Sequence, residues 1–342
     1  MTNRDRLKTL MLSRNLCLTF ILLLVTGSLF GAPYKYKRTG QKTDKETQAT
    51  RGIAMMGGGS DLDEAFKWLC DKANGGDFLI LRARGSSEYN GYVKKLCSAN
   101  SVATLVIPTR EAAQDPKVSD IISHAEAIFI AGGDQSRYVN FWKGTPVQDA
   151  INADIAAGKP IGGTSAGLAV LGQFAYGALG DAPNDADLAS KDVLSDPFHK
   201  RVTVVRDFLK VPHLENTLTD SHFAKRDRMG RSLVFLARII QDGWSRSPRE
   251  VAIDERSAVL VEGDGKGTVV GLGRGAYFMR PSEAPEVCKP QTPVTFSNVD
   301  VYHAPTGAHF DLGRWVGDGG NDYGLSIDHG VVKSTQSDGG IY

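Results

Sequence analysis

The sequence predicts an α/β protein: a doubly wound, mostly parallel sheet with helices on both faces, and a C-terminal antiparallel β extension. Three observations carry this. Apolar runs of four or five residues recur at Ile53–Met56, Phe78–Leu81, Ala103–Ile107 and Ala127–Ile130, with Ile161 in a fifth. Stretches of helical periodicity separate them, and strands alternating with helices make βαβ units and a parallel sheet. After Arg249 the pattern changes to short strand-like runs, from Val251–Ile253 to Val299–Tyr302, parted by Gly and Asp turns. Glycine clusters follow the first, fourth and fifth runs, at the strand ends where such sheets hold ligands.

The 342 residues begin with a separate segment. Arg4, Arg6, Lys8 and Arg14 precede an apolar run, Leu16–Val25, that ends in Thr26-Gly27-Ser28. A basic start, a short apolar core and a small-residue exit are the marks of a secretory signal, so residues 1–28 are expected to be removed on export, to the periplasm or outside the cell. Retention as a membrane anchor is the alternative; after removal, no membrane association is expected. Residues 29–50 are polar and without periodicity, which predicts a disordered linker. Residues 51–262 are expected to form the α/β domain, and residues 263–342 the β extension with a loosely ordered, Gly/Asp/Ser-rich tail.

The balance of 40 basic and 39 acidic residues gives no bulk attraction to nucleic acid, and none is expected as a partner. Of four cysteines, Cys17 lies in the signal. Cys70 and Cys97, 27 residues apart, are the expected disulfide in an exported chain, and Cys288 is the odd one out. No paired-ligand spacing of cysteines or histidines points to a metal site.

Within the body, Asp61–Leu69 has helical periodicity with acids in its first turn. Gly57-Gly58-Gly59 lacks both the dinucleotide fingerprint and the P-loop lysine, so it is read as a close backbone approach beside the pocket. Gly132-Gly133-Asp134-Gln135 opens a helix with the aromatic residues Tyr138, Phe141 and Trp142. The most informative stretch is Gly163-Thr164-Ser165-Ala166-Gly167, which fits G-x-S-x-G. A serine on a sharp strand-to-helix turn needs small neighbours, because its backbone is strained and its flanks approach closely. Ser165 is therefore the candidate nucleophile.

A second informative stretch runs from Asp220 to Arg231. Asp220 is a fair N-cap, and Phe223, Leu233, Val234, Ala237 and Ile240 trace a helix from there to Gly243. His222, at that helix's start, is the histidine best placed to serve Ser165. The arginines are denser than a solvated face requires. On a regular helix Arg228 and Arg231 lie about 60° apart and Arg226 about 140° from Arg231, so one or two of them can face an anionic substrate group.

Together these segments resemble the cyanophycinase family of serine peptidases, relatives of the α-aspartyl dipeptidases with a fold similar to class I glutamine amidotransferases. The resemblance rests on Gly132–Gln135, Gly163–Gly167, Asp220–Phe223 with Arg226–Arg231, and Ala252-Ile253-Asp254-Glu255, and covers roughly residues 53–262 in order. It implies a peptidase acting on aspartyl bonds, in cyanophycinase the β-linked Asp–Arg units of a storage polymer. Carried over by position, Ser165 is the nucleophile, His222 the base, and Gln135, Asp220, Arg226, Arg228 and Arg231 belong to the substrate pocket. Where the family has glutamine between Asp220 and His222, this chain has Ser221.

The third member of the triad is expected in the loop after Ser165. Asp192 is assigned because it falls 27 residues beyond the serine just before an apolar pair, with Asp187 and Asp196 as rivals. Backbone N–H groups of Ala166 and of Gly133 or Asp134 are expected to form the oxyanion hole. No cofactor is required. The expected partner is a peptide with aspartyl bonds, cyanophycin among the candidates; the oligomeric state is left open, a dimer included. Two rivals stand beside this reading: an α/β-hydrolase esterase, and an inactive relative that captures acidic peptides.

Overall fold

The computed structural model describes residues 33–182 and 186–342. The expected signal, residues 1–28, lies outside the described residues. Among the described residues two sheets, of ten and eight strands, organise the fold. The centre of the larger sheet is parallel, in the spatial order Ser101–Val106, Asp77–Arg82, Ala127–Ile130, Ile161–Thr164 and Gly52–Met56. Every residue of Gly52–Met56 and of Ser101–Val106 is buried, as expected of strands covered on both faces. Alternate residues feed two cores. Ile53, Met55, Leu79 and Ile128 pack on one face with the helices Pro116–Ser123 and Pro146–Ala156; Ala54, Met56, Phe78 and Phe129 pack on the other with Asp63–Lys72.

The smaller sheet was not foreseen as a separate layer. It is parallel only where Phe174–Tyr176, Thr217–Asp220 and Arg249–Ile253 lie side by side, and antiparallel through Ala276–Pro281, Phe296–Ala304, Asn321–Asp328 and Val331–Ser334. The 13-residue helix Met229–Gln241 covers it. Between Ile253 and Ser257 the chain leaves this sheet and joins the other, pairing Ser257–Glu262 with Gly52–Met56. Three residues, Asp254-Glu255-Arg256, thus bridge the two sheets.

Two stretches expected to be loose are ordered. Lys35–Gly40 is an edge strand antiparallel to Ser101–Val106, and the Lys45 N–H donates to Asp77 Oδ2. The tail forms the strands just named and ends with the Tyr342 hydroxyl accepting from the Met229 N–H. Polar composition misled in both cases, since an edge strand is held by its ladder without burying an apolar face.

Cys70, on Asp63–Lys72, is bonded to Cys97 at the end of Glu88–Leu96, while Cys288 is free and buried. Closing a loop of this length stabilises by about 3.5 kcal/mol in the chain-entropy account. Cys70→Ala/Cys97→Ala should therefore lower the unfolding free energy by about that amount in denaturant titrations. A double variant as stable as the oxidised parent would contradict this.

Candidate active site

Ser165 stands at the end of Ile161–Thr164 with φ 53° and ψ −117°, outside the regions open to ordinary residues. Such a conformation costs about 1–3 kcal/mol and persists only where its surroundings enforce it. Here the Ser165 N–H is tied to the Met56 carbonyl at 3.2 Å. The flanking glycines are obligatory: a Cβ on Gly163 would lie 2.5 Å from the Gly167 backbone, and one on Gly167 only 1.9 Å from the Ile130 carbonyl oxygen. The turn thus presses between neighbouring strands and lifts the side chain out of them.

His222 reaches the same point from the other sheet, two residues beyond the strand Thr217–Asp220. Its Nε2 lies 2.7 Å from Ser165 Oγ. Its Nδ1 lies 2.7 Å from Glu255 Oε1. A carboxylate accepts, so Nδ1 carries the proton and Nε2 is left to accept from the serine hydroxyl. Glu255 belongs to the three-residue bridge after Arg249–Ile253, the strand parallel to Thr217–Asp220. Burial pushes the His222 pKa below its ordinary value; the hydrogen bond to Glu255 opposes this, and the charges of Arg226 and Arg228 reinforce it. The imidazole is therefore neutral and able to take a proton at neutral pH.

Gly57–Gly59 explains itself here. Gly58, at φ 91°, runs so close beneath the pair that an added Cβ would stand 2.6 Å from His222 Cε1 and 3.1 Å from Ser165 Cβ. The Gly57 carbonyl accepts the His222 N–H at 2.8 Å, and the Gly58 carbonyl that of Arg256 at 3.0 Å. One glycine loop thus fixes the approach of both partners to Ser165.

The sequence had pointed to Asp192 as the carboxylate on His222; the structure puts Glu255 there. Val193 and Leu194 dock the short helix Ser190–Ser195 into the apolar cluster between the smaller sheet and the helix Met229–Gln241, which leaves Asp192 away from the cavity. Its rivals are occupied elsewhere, Asp187 with Arg226 and Arg228, Asp196 with the N–H groups of Phe198 and Gln291.

Beside Ser165 lies a cavity of about 480 Å³ that includes Gly133, Gln135, Ala166, Arg226, Arg228 and Arg231 in its lining. All three arginines reach it because the helix begins only at Met229, and positive φ at His222 and Asp227 breaks the regular spacing before it. They are not equivalent. Arg231, 2% exposed, grips Asp220 with two nitrogens, Nη2 at 2.7 Å and Nε at 3.1 Å from Oδ2. Asp220 ends a strand instead of capping a helix, and is a buried counter-ion rather than a wall of the cavity. Arg228 is shared between Asp220 and Asp187 at 3.1 and 2.8 Å. Arg226 is the most exposed, held among the described residues by Asp187 at 3.3 Å and Glu255 at 3.8 Å. Burial would raise the Asp187 pKa, but the guanidinium groups of Arg228 and Arg226 hold it down at about 2.

Residues 54–193 match the family model of peptidase family S51. Over that stretch the chain is similar to peptidase family S51. It is 28% identical over 222 residues to a cyanophycinase of Nostoc sp., an alignment spanning 63% of this chain and 66% of that protein, just under two thirds of its length. It is likewise 28% identical over 253 residues to a cyanophycinase of Synechococcus elongatus, spanning 69% of this chain and 70% of the relative. Among solved structures, a peptidase from an acI-B1 Actinobacterium superposes with a TM-score of 0.47 at 20% identity, covering 66% of this chain and 89% of that one. The family match ends before His222 and Glu255, so their placement rests on the geometry above.

That geometry separates two substitutions. A carboxylate that fixes the imidazole tautomer should cost about 10³–10⁴ in kcat when replaced by its amide. Glu255→Gln is expected to do so with little change in KM, and Asp192→Asn to leave kcat near the parent value. Steady-state kinetics on both variants checks this, and the reverse pattern would restore Asp192.

Proposed function

We propose that this chain is a serine-type peptidase that hydrolyses aspartyl peptide bonds. The observation that carries the reading is the unbroken relay from Ser165 Oγ through His222 to Glu255, at the edge of an arginine-lined cavity. In this reading the Ser165 oxygen attacks the carbonyl carbon as its proton passes to His222 Nε2. The Ala166 and Gly133 N–H groups receive the oxyanion, each such donor being worth about 2.7–4 kcal/mol in the transition state. His222 then protonates the leaving amine, and water, activated the same way, releases the acid from Ser165.

Arg226 and Arg228 supply the positive charge for the aspartyl group, which competes with Asp187 for them. Gln135 adds a polar wall. Arg231 and Asp220 hold Arg228 in place instead of touching substrate. The relatives' name puts cyanophycin, with its β-Asp–Arg units, first among substrates to test. The carboxylate of Glu255 on His222 completes the triad and favours a working enzyme over an inactive binder. Export belongs to the same proposal: the Cys70–Cys97 bond is of the kind that persists in oxidising compartments.

Purified full-length protein is expected to turn over cyanophycin or members of an Asp-X dipeptide panel, both α- and β-linked, and Ser165→Ala to abolish that turnover without loss of folding by circular dichroism. Turnover by Ser165→Ala within tenfold of the parent would remove the serine mechanism.

A further inference from the structure

A second cavity, of about 410 Å³, adjoins the one at Ser165. The two share Gly133, Asp134 and Arg137, and the second is completed by Arg82, Arg84, Gly85 and Tyr138. The backbone that divides them is Gly132–Gly133, and it lies directly against the serine: a Cβ on Gly132 would be 3.3 Å from Ser165 Cβ. A peptide whose carbonyl sits at Ser165 with its oxygen toward Gly133 therefore has one flank on each side of this ridge.

The second cavity is cationic. Arg82 is anchored, donating from Nε to the Arg84 carbonyl and from Nη1 to the Ser86 carbonyl, both at 3.1 Å, with Glu88 at 3.7 Å. Gly85, at φ 116°, lets the loop fold onto that guanidinium, since a Cβ there would lie 2.6 Å from it. Arg84 is exposed, and its guanidinium makes no hydrogen bond or ion pair with another described residue. Among the described residues the Arg137 guanidinium has one partner, Asp134 Oδ2 at 3.2 Å, and the side chain is 38% exposed. Against three guanidinium groups the lining offers one carboxylate. Planar guanidinium groups with open N–H donors are the chemistry that recognises a carboxylate.

We propose that this cavity is a second carboxylate-binding subsite, formed by Arg84 and Arg137, for the flank of the substrate that the Arg226–Arg228 pocket does not hold. It rests on the reading of Ser165 as a peptidase nucleophile and adds to it a preference for peptides with acidic groups on both sides of the cleaved bond.

The test starts from the aspartyl dipeptide amide that full-length protein cleaves fastest, and adds a second carboxylate at either end: a succinyl group on the N-terminus, or an aspartyl amide at the C-terminus. KM is measured on the parent, and Kd by calorimetry on Ser165→Ala, which reads the cavity without turnover. One of the two additions should tighten both constants by about tenfold, the size expected of a charge-assisted hydrogen bond. Arg84→Gln/Arg137→Gln should erase that gain. If neither addition tightens binding, or if the gain survives in the double variant, the subsite is wrong. If the parent cleaves none of the dipeptide amides, the calorimetry on Ser165→Ala starts from the one that binds tightest, and a tenfold gain there would sink the peptidase reading and keep the subsite.

Discussion

The short contact between Ser165 Oγ and His222 Nε2 joins two sheets that could otherwise pack in many registers. Ser165 ends a strand of one sheet, and His222 follows a strand of the other. Their separation of 2.7 Å is set by backbone. The Gly57–Gly59 loop takes a hydrogen bond from each neighbouring segment, and the Asp254–Arg256 bridge carries the chain from one sheet to the other at the same level. Glycine recurs at this junction because backbones approach there more closely than any Cβ allows.

Charge is arranged in layers around that contact. Arg231 and Asp220 form a fully buried pair, whose desolvation is offset by bidentate hydrogen bonding and which breaks at a cost of about 3–5 kcal/mol when one partner is lost. Arg228 hangs on this pair, and Arg226 stands nearest the solvent. The gradient from buried and paired to exposed and loosely held decides which arginine can exchange its partner for an incoming anion. It also keeps His222 neutral, since burial and nearby cations both disfavour the imidazolium.

Ser165 and His222 were legible because their signals are local. Small residues at fixed offsets mark a strained turn, and the order of strands and helices follows from apolar periodicity. Glu255 was not, because it meets His222 across 33 residues through the crossing between sheets, and no spacing rule encodes that crossing. The order of segments points to an acid in the loop after the serine, although Ala252–Glu255 itself carries part of the family resemblance. That all three arginines line one cavity was not legible for a related reason. A helical wheel starting at Asp220 assumes regular backbone, whereas positive φ at His222 and Asp227 postpones the helix to Met229. The edge strand Lys35–Gly40 and the ordered tail were missed because backbone pairing leaves little trace in composition.

The central claim is that Ser165 is activated by a neutral His222. It is tested most directly by the pH dependence of Ser165 modification with a fluorophosphonate, followed by peptide mass spectrometry. Because the His222 pKa is lowered, the unprotonated base persists as pH falls, and the labelling rate should drop only through a midpoint below 6.5. Stoichiometric labelling at Ser165 with that acid limb is the predicted result. No labelling at Ser165, or a midpoint at or above 6.5, would contradict the account.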